Sequence, residues 1–177
     1  MRLISFLFFG CLSVGLADDV VLSNFNDQTL PFPYGTWVNE STGATALTPG
    51  PVGLSVAGEA TAKGGACIRD VQLKFTAEQV IELEVTVLEG NKAKALNVLL
   101  ENSDGKQAGW RFDLAGIPVG ETRTLVSSPI SKPVFTTPAG GAIDPQAVIS
   151  WHVQGDFSDD GALRVRLDNL VVKSQGK

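Results

Sequence analysis

Val80-Ile81-Glu82-Leu83-Glu84-Val85-Thr86-Val87-Leu88 alternates apolar and polar side chains, with Ile81, Leu83, Val85 and Val87 on one side and Glu82, Glu84 and Thr86 on the other. Successive residues of an extended chain point to opposite faces, so this run reads as an antiparallel strand with one dry and one wet face. Similar runs occupy 20–25, 52–57, 66–75, 95–101, 109–114, 122–127, 147–154 and 162–172. Between them lie Pro49-Gly50-Pro51, Lys63-Gly64-Gly65, Glu89-Gly90-Asn91, Ser103-Asp104-Gly105, Ala139-Gly140-Gly141 and Ser158-Asp159-Asp160-Gly161. Asp104-Gly105 and Asp160-Gly161 are the sharpest hairpin signals, because glycine takes the positive φ of a tight turn. Thr76 to Gln79 has room for one helical turn, and no long amphipathic helix is visible. Nine or ten short strands with Gly/Pro turns predict an all-β fold, a two-sheet antiparallel β-sandwich. The stretch 128–145, rich in Pro, Thr, Ser and Gly, is expected to be an irregular crossover or part of a binding rim.

The first 17 residues read as a signal peptide. Arg2 is followed by an apolar run from Leu3 to Leu12, and Gly15-Leu16-Ala17 offers small residues for cleavage. The run is shorter than the roughly 20 apolar residues that span a bilayer, and nothing later is apolar for as long. Cleavage before Cys11, as in a lipoprotein, is disfavoured because Phe8-Phe9 precede Gly10 where smaller residues are expected. A single domain, 18–177, remains, expected to be monomeric, secreted or periplasmic, and without membrane insertion after signal cleavage. Losing Arg2 leaves 13 basic against 19 acidic side chains, a balance of −6 that excludes nucleic-acid binding by net charge. Cys67 is the only cysteine left, so no internal disulfide supports the fold. Its place in Ala66-Cys67-Ile68 suits a small buried hydrophobe.

Three pieces carry a resemblance. The first is Val21-Leu22-Ser23-Asn24-Phe25-Asn26-Asp27, followed ten residues later by Trp37. The second is the hairpin from Leu96 through Asp104-Gly105 to Trp110–Leu114, leading into 121–126. The third is the closing Leu163-Arg164-Val165-Arg166-Leu167-Asp168-Asn169-Leu170-Val171-Val172. Together they resemble the galactose-binding-like jelly-roll carbohydrate-binding modules, from about Val20 to Lys173 and in the expected order. Phe25-Asn26 stands where Phe-Glu is more usual.

The resemblance implies a structural calcium ion where the first and last strands meet, with Asn26 and Asp168 as side-chain ligands and Asp27 as a third. Calcium takes six to eight oxygens, so backbone carbonyls would complete the shell. The residues add a local sign. Leu163, Val165 and Leu167 are apolar at odd positions, but Leu170 and Val172 continue the series at even ones, as a bulge beside Asp168 would produce.

A sugar site needs planar hydrogen-bonding groups and an apolar surface. Arg111 and Asp113 oppose Trp110, Phe112 and Leu114; His152 and Gln154 oppose Trp151 and Val153; Arg164 and Arg166 oppose Leu163 and Val165. If the three strands share one sheet, these six polar residues form one ligand-binding face for a polysaccharide or other glycan. Trp110 and Trp151 ride with aliphatics and are expected in the core. Trp37 and Tyr34, with Phe32 in a loop stiffened by two prolines, are the candidate exposed aromatics.

Nothing in the sequence signals an enzyme. His152 is the only histidine, and neither Gly-x-Ser-x-Gly nor His-Glu-x-x-His occurs. Solvated strand faces account for Glu82, Glu84, Glu101 and Asp113, which would otherwise suggest a small glycosidase or lyase. An envelope protein-interaction domain is the other alternative. Asn39-Glu40-Ser41 fits the glycosylation pattern.

Overall fold

The computed structural model describes residues 18–25, 35–37, 45–49, 53–58, 65–68, 70–155 and 161–174. Its strands, in chain order, are β1 (Val20–Ser23), β2 (Gly35–Trp37), β3 (Thr45–Pro49), β4 (Leu54–Gly58), β5 (Gly65–Ile68) and β6 (Val80–Val87). There follow β7 (Ala95–Asn102), β8 (Gln107–Asp113), β9 (Thr122–Pro129), β10 (Phe135–Thr137), β11 (Val148–Gly155) and β12 (Arg164–Lys173). All pairings are antiparallel. Sheet 1 has the order β3-β4-β12-β6-β9 with β1 also on β12, and sheet 2 has the order β10-β8-β7-β11-β5-β2.

The alternation that predicts β6 is what buries it. Ile81, Leu83 and Val85 are fully enclosed, while Glu82 and Glu84 lie half-buried on the opposite side. The core between the sheets is completed by Leu96, Val98 and Leu100 of β7, Trp110 and Phe112 of β8, Trp151 and Val153 of β11, and Val165 and Leu167 of β12. Both tryptophans are buried, as their sequence company predicts, and Phe25 meets Trp151 edge-on with ring centroids 5.8 Å apart. Each large apolar side chain enclosed here contributes about 1.5–3 kcal/mol.

Three strands exceed the sequence expectation. β2 and β3 fall in stretches rich in Pro, Gly and Thr, and β10 interrupts the 128–145 stretch as a three-residue edge strand on β8. Thr76 to Gln79 closes as a single turn instead of a helix: Gln79 N–H donates to Thr76 O at 3.3 Å, and Gln79 Oε1 accepts from Thr76 N–H at 2.7 Å. The run 66–75 splits, with β5 ending at Ile68 and Leu73 forming a lone bridge to Val148.

The bulge stands where the parity change placed it. Asp168 pairs with Glu84 and Val171 with Glu82, so β12 spends one residue more than β6 between the two pairs. Asn169 absorbs the extra residue at φ 43°, a left-handed conformation that asparagine tolerates better than most side chains. The same point is a junction. β4 pairs with 164–167 of β12, whereas β1 pairs with 170–172.

The signal segment 1–17, Asn26, Asp27, Phe32, Tyr34, the Asn39-Glu40-Ser41 motif and the Ser158–Asp160 part of the last turn lie outside the described residues.

Candidate functional site

In sheet 2, β7 lies between β8 and β11. Because directly paired residues of antiparallel strands share a face, the register writes the outer surface row by row. One row joins Arg111, Asn97 and Gln154, since Asn97 pairs with both of the others. The next joins Phe135, Gly109, Leu99, His152 and Cys67. A third joins Thr137, Gln107, Glu101 and Ser150.

Arg111 is exposed at one end of its row, but Asn97 and Gln154 are only 5% and 7% exposed. Neither side-chain amide is hydrogen-bonded to a protein group among the described residues. A buried polar group left in that state costs about 1–3 kcal/mol, and such groups are uncommon in folded proteins. Here two lie side by side on adjacent strands, each able to donate and to accept.

The row through Glu101 is, by contrast, satisfied. Glu101 Oε2 accepts from Gln107 Nε2 at 3.0 Å and from Ser150 Oγ at 3.4 Å, and lies 3.3 Å from His152 Nε2. Ser150 Oγ is 3.2 Å from the same His152 Nε2. Serine, histidine and a carboxylate are together, but serine and carboxylate both meet one ring nitrogen. A hydrolytic relay needs them on opposite nitrogens, with the acid on Nδ1 orienting the ring. The arrangement is a buried polar clasp between β7 and β11.

Several expected site residues are placed differently. Arg164 and Arg166 lie on β12, in sheet 1, and so on the opposite side of the sandwich from Arg111 and His152. Periodicity fixes which side chains share a face of one strand but not which strands share a sheet. Arg166 Nη2 donates to Thr86 Oγ1 at 3.1 Å, and an Arg164 guanidinium N–H donates to Leu163 O at 2.9 Å. Asp113 is exposed at the far end of β8, where its carboxylate caps a turn by accepting from Ala115 N–H at 2.9 Å. His152 and Gln154 do lie on the outer face, yet His152 is 6% exposed and is enclosed instead of solvated. Trp37 belongs to β2, its backbone paired with Gly65 in the row of Gln154.

Asn97 and, except as a hydrolytic carboxylate, Glu101 escaped the sequence reading, as did Phe135. The first two carried a usable signal, since they oppose Leu96, Val98 and Leu100 in β7. Phe135 carried none, because its strand has three residues.

Among the described residues, no three His, Cys, Asp or Glu side chains converge to hold a metal. Asp168 is half-buried beside Glu84; its Oδ1 accepts from Asn169 N–H at 2.9 Å, and Glu84 Oε2 accepts from Asn169 Nδ2 at 3.1 Å. Of the four carboxylates considered for glycoside hydrolysis, Glu82 and Glu84 lie on sheet 1 and Glu101 and Asp113 on sheet 2. Glu101 pairs with Gln107, six residues from Asp113 along β8, about 20 Å and well beyond a catalytic carboxylate spacing.

No protein-family model matches the sequence, and no curated protein matches it significantly. Solved structures do match. The family 11 carbohydrate-binding module of the cellulosomal cellulase Lic26A-Cel5E of Clostridium thermocellum superimposes with a TM-score of 0.63 at 14% identity, over 89% of this chain and 95% of that one. A family 29 carbohydrate-binding module in complex with mannohexaose gives 0.55 at 16% identity, over 88% and 90%. An exo-β-agarase gives 0.60 at 11% identity, over 89% of this chain but 25% of the enzyme. The two-sheet architecture and these superpositions agree: the chain has the galactose-binding-like jelly-roll fold seen in carbohydrate-binding modules.

Proposed function

We propose that the chain is a secreted, non-catalytic carbohydrate-binding module whose ligand lies across the outer face of sheet 2, on Arg111, Asn97 and Gln154. The observation that carries this reading is the pair of neighbouring buried amides with no hydrogen bond to a protein group among the described residues. Sugar hydroxyls both donate and accept, and adjacent amides offer both functions at about 5 Å separation. Arg111 extends the row with a planar fork of donors. The relay-incompatible geometry at His152 supports the non-catalytic part, and the apolar run of residues 3–12 supports export. Two structural neighbours hold a β-1,3-1,4-mixed-linked tetrasaccharide and mannohexaose, which makes linear polysaccharides the first ligands to try.

Calcium is the finer part of the proposal. Carboxylate oxygens suit this hard ion. Asp168 stands at the junction where β1 ends, one residue beyond the buried Phe25 comes Asn26, and Asn26 and Asp27 with backbone carbonyls would supply the remaining ligands. The ion would stiffen the sandwich end and take no part in chemistry.

The test is retention of the exported protein on a glycan array and on insoluble β-glucan, mannan and agarose. Saturable retention on at least one is expected; absence of binding to every polysaccharide would remove the proposal.

A further inference from the structure

Phe135 lies in the outer-face row next to that of Arg111, paired with Gly109 across β10 and β8. A Cβ on Gly109 would meet Phe135 Cε1 and Cε2 at 2.5 and 2.7 Å and Cζ closer still. The near equality of these three distances fixes the orientation of the ring. An edge-on approach would leave both Cε atoms nearly an ångström further than Cζ, so the outward direction at Gly109 strikes the ring through its face. The ring therefore lies flat on the glycine backbone with its other face turned away from the sheet. It remains 36% exposed, one of few large apolar side chains in the described residues that do. The backbone beneath is held by Val134 N–H donating to Gly109 O at 2.8 Å.

We infer that Phe135 is a stacking platform for one pyranose unit, and that Gly109 is there to let it lie flat. This rests on the reading of the Arg111–Asn97–Gln154 row as a sugar site and deepens it. An aromatic face attracts the C–H-rich side of a pyranose, while the ring edge carries the hydroxyls. Phe135 is a diagonal neighbour of Arg111, about 7–8 Å away on the same face. From β10 through β8 and β7 to β11 the row covers three strand intervals, about 14 Å. That is the length of a short oligosaccharide laid across the strands. The ligand class is thus a linear chain of pyranoses with at least one C–H-rich ring face. A trisaccharide or longer spans the site, and monosaccharides fill only a part of it.

The experiment is calorimetric titration with mixed-linked β-1,3-1,4 glucan oligosaccharides and manno-oligosaccharides of one to six units, using wild type, Phe135→Leu, Phe135→Trp, Gly109→Ala and the double variant Gly109→Ala/Phe135→Leu. Thermal melting confirms that each is folded. Phe135→Leu keeps an apolar cover but removes the aromatic face, so about a tenfold loss of affinity is expected. Phe135→Trp retains binding. Gly109→Ala loses as much as Phe135→Leu although the phenylalanine is intact, and the double variant loses no more than either, because both changes remove one contact. Affinity rises with chain length up to the span of the site. Unchanged binding in Phe135→Leu, with loss in Asn97→Ala/Gln154→Ala, overturns the platform and leaves the binding face standing. No binding by wild type overturns both.

Discussion

Leu167 and Leu170 both point into the core although they lie three positions apart, and strict alternation would put one of them in water. The extra residue is taken up at Asn169, whose φ of 43° returns the chain to the core side. A β-branched residue cannot hold that conformation cheaply. Asn169→Val is expected to lower stability by about 1–2 kcal/mol and Asn169→Gly to leave it nearly unchanged, as read by urea unfolding. Equal stability of the two variants would show that the bulge is not held at this residue.

Asp168 lies beside the bulge, so calcium, if it holds this end, must show in melting. Wild type in calcium is expected to melt higher than in chelator, by an amount that grows with calcium concentration, and Asp168→Asn is expected to abolish the difference. A melting temperature indifferent to calcium and chelator would remove the ion from the account.

Strand periodicity made most of this fold legible. Alternation in 80–88, 109–114 and 147–154 marked the strands and their dry sides, and the switch of parity between Leu167 and Leu170 located the bulge. The site was half legible. Arg111, His152 and Gln154 were read onto one face, but Arg164 and Arg166 were grouped with them although β12 pairs with β1, β4 and β6. Pairing of distant strands leaves no local trace, because each strand needs only a neighbour of matching pattern. Burial of His152 was equally hidden: alternation gives the side of a residue, not what lies over it.

The two amides lead to a trade between stability and binding. Replacing Asn97 and Gln154 by leucine removes largely buried polar groups that have no partner among the described residues. Asn97→Leu/Gln154→Leu is expected to raise stability by about 1 kcal/mol per site while eliminating glycan binding. Lower stability would show that the amides serve the fold.

Lys173 Nζ lies 2.5 Å from Glu82 Oε2, and this hydrogen bond, with the attraction of the carboxylate, holds the lysine above its ordinary value of 10.5. A raised folded value means the contribution is full below the unfolded value and is lost as pH rises through the folded one. Lys173→Met should melt slightly below wild type at neutral pH, the lysine being solvent-exposed. The gap should close as pH climbs past 10.5 through the raised value, on melting curves recorded across that range. A gap independent of pH would assign the effect to packing of the lysine stem.

The measurement closest to the central claim compares the two outer faces by calorimetric titration of the purified protein with mixed-linked β-glucan and mannan oligosaccharides. Asn97→Ala/Gln154→Ala is expected to weaken binding at least about tenfold, two lost hydrogen bonds at about 1 kcal/mol each, while Arg164→Ala/Arg166→Ala on sheet 1 binds as wild type does. Full affinity in the first variant, or loss confined to the second while both remain folded, would place the ligand on the other sheet and contradict the account.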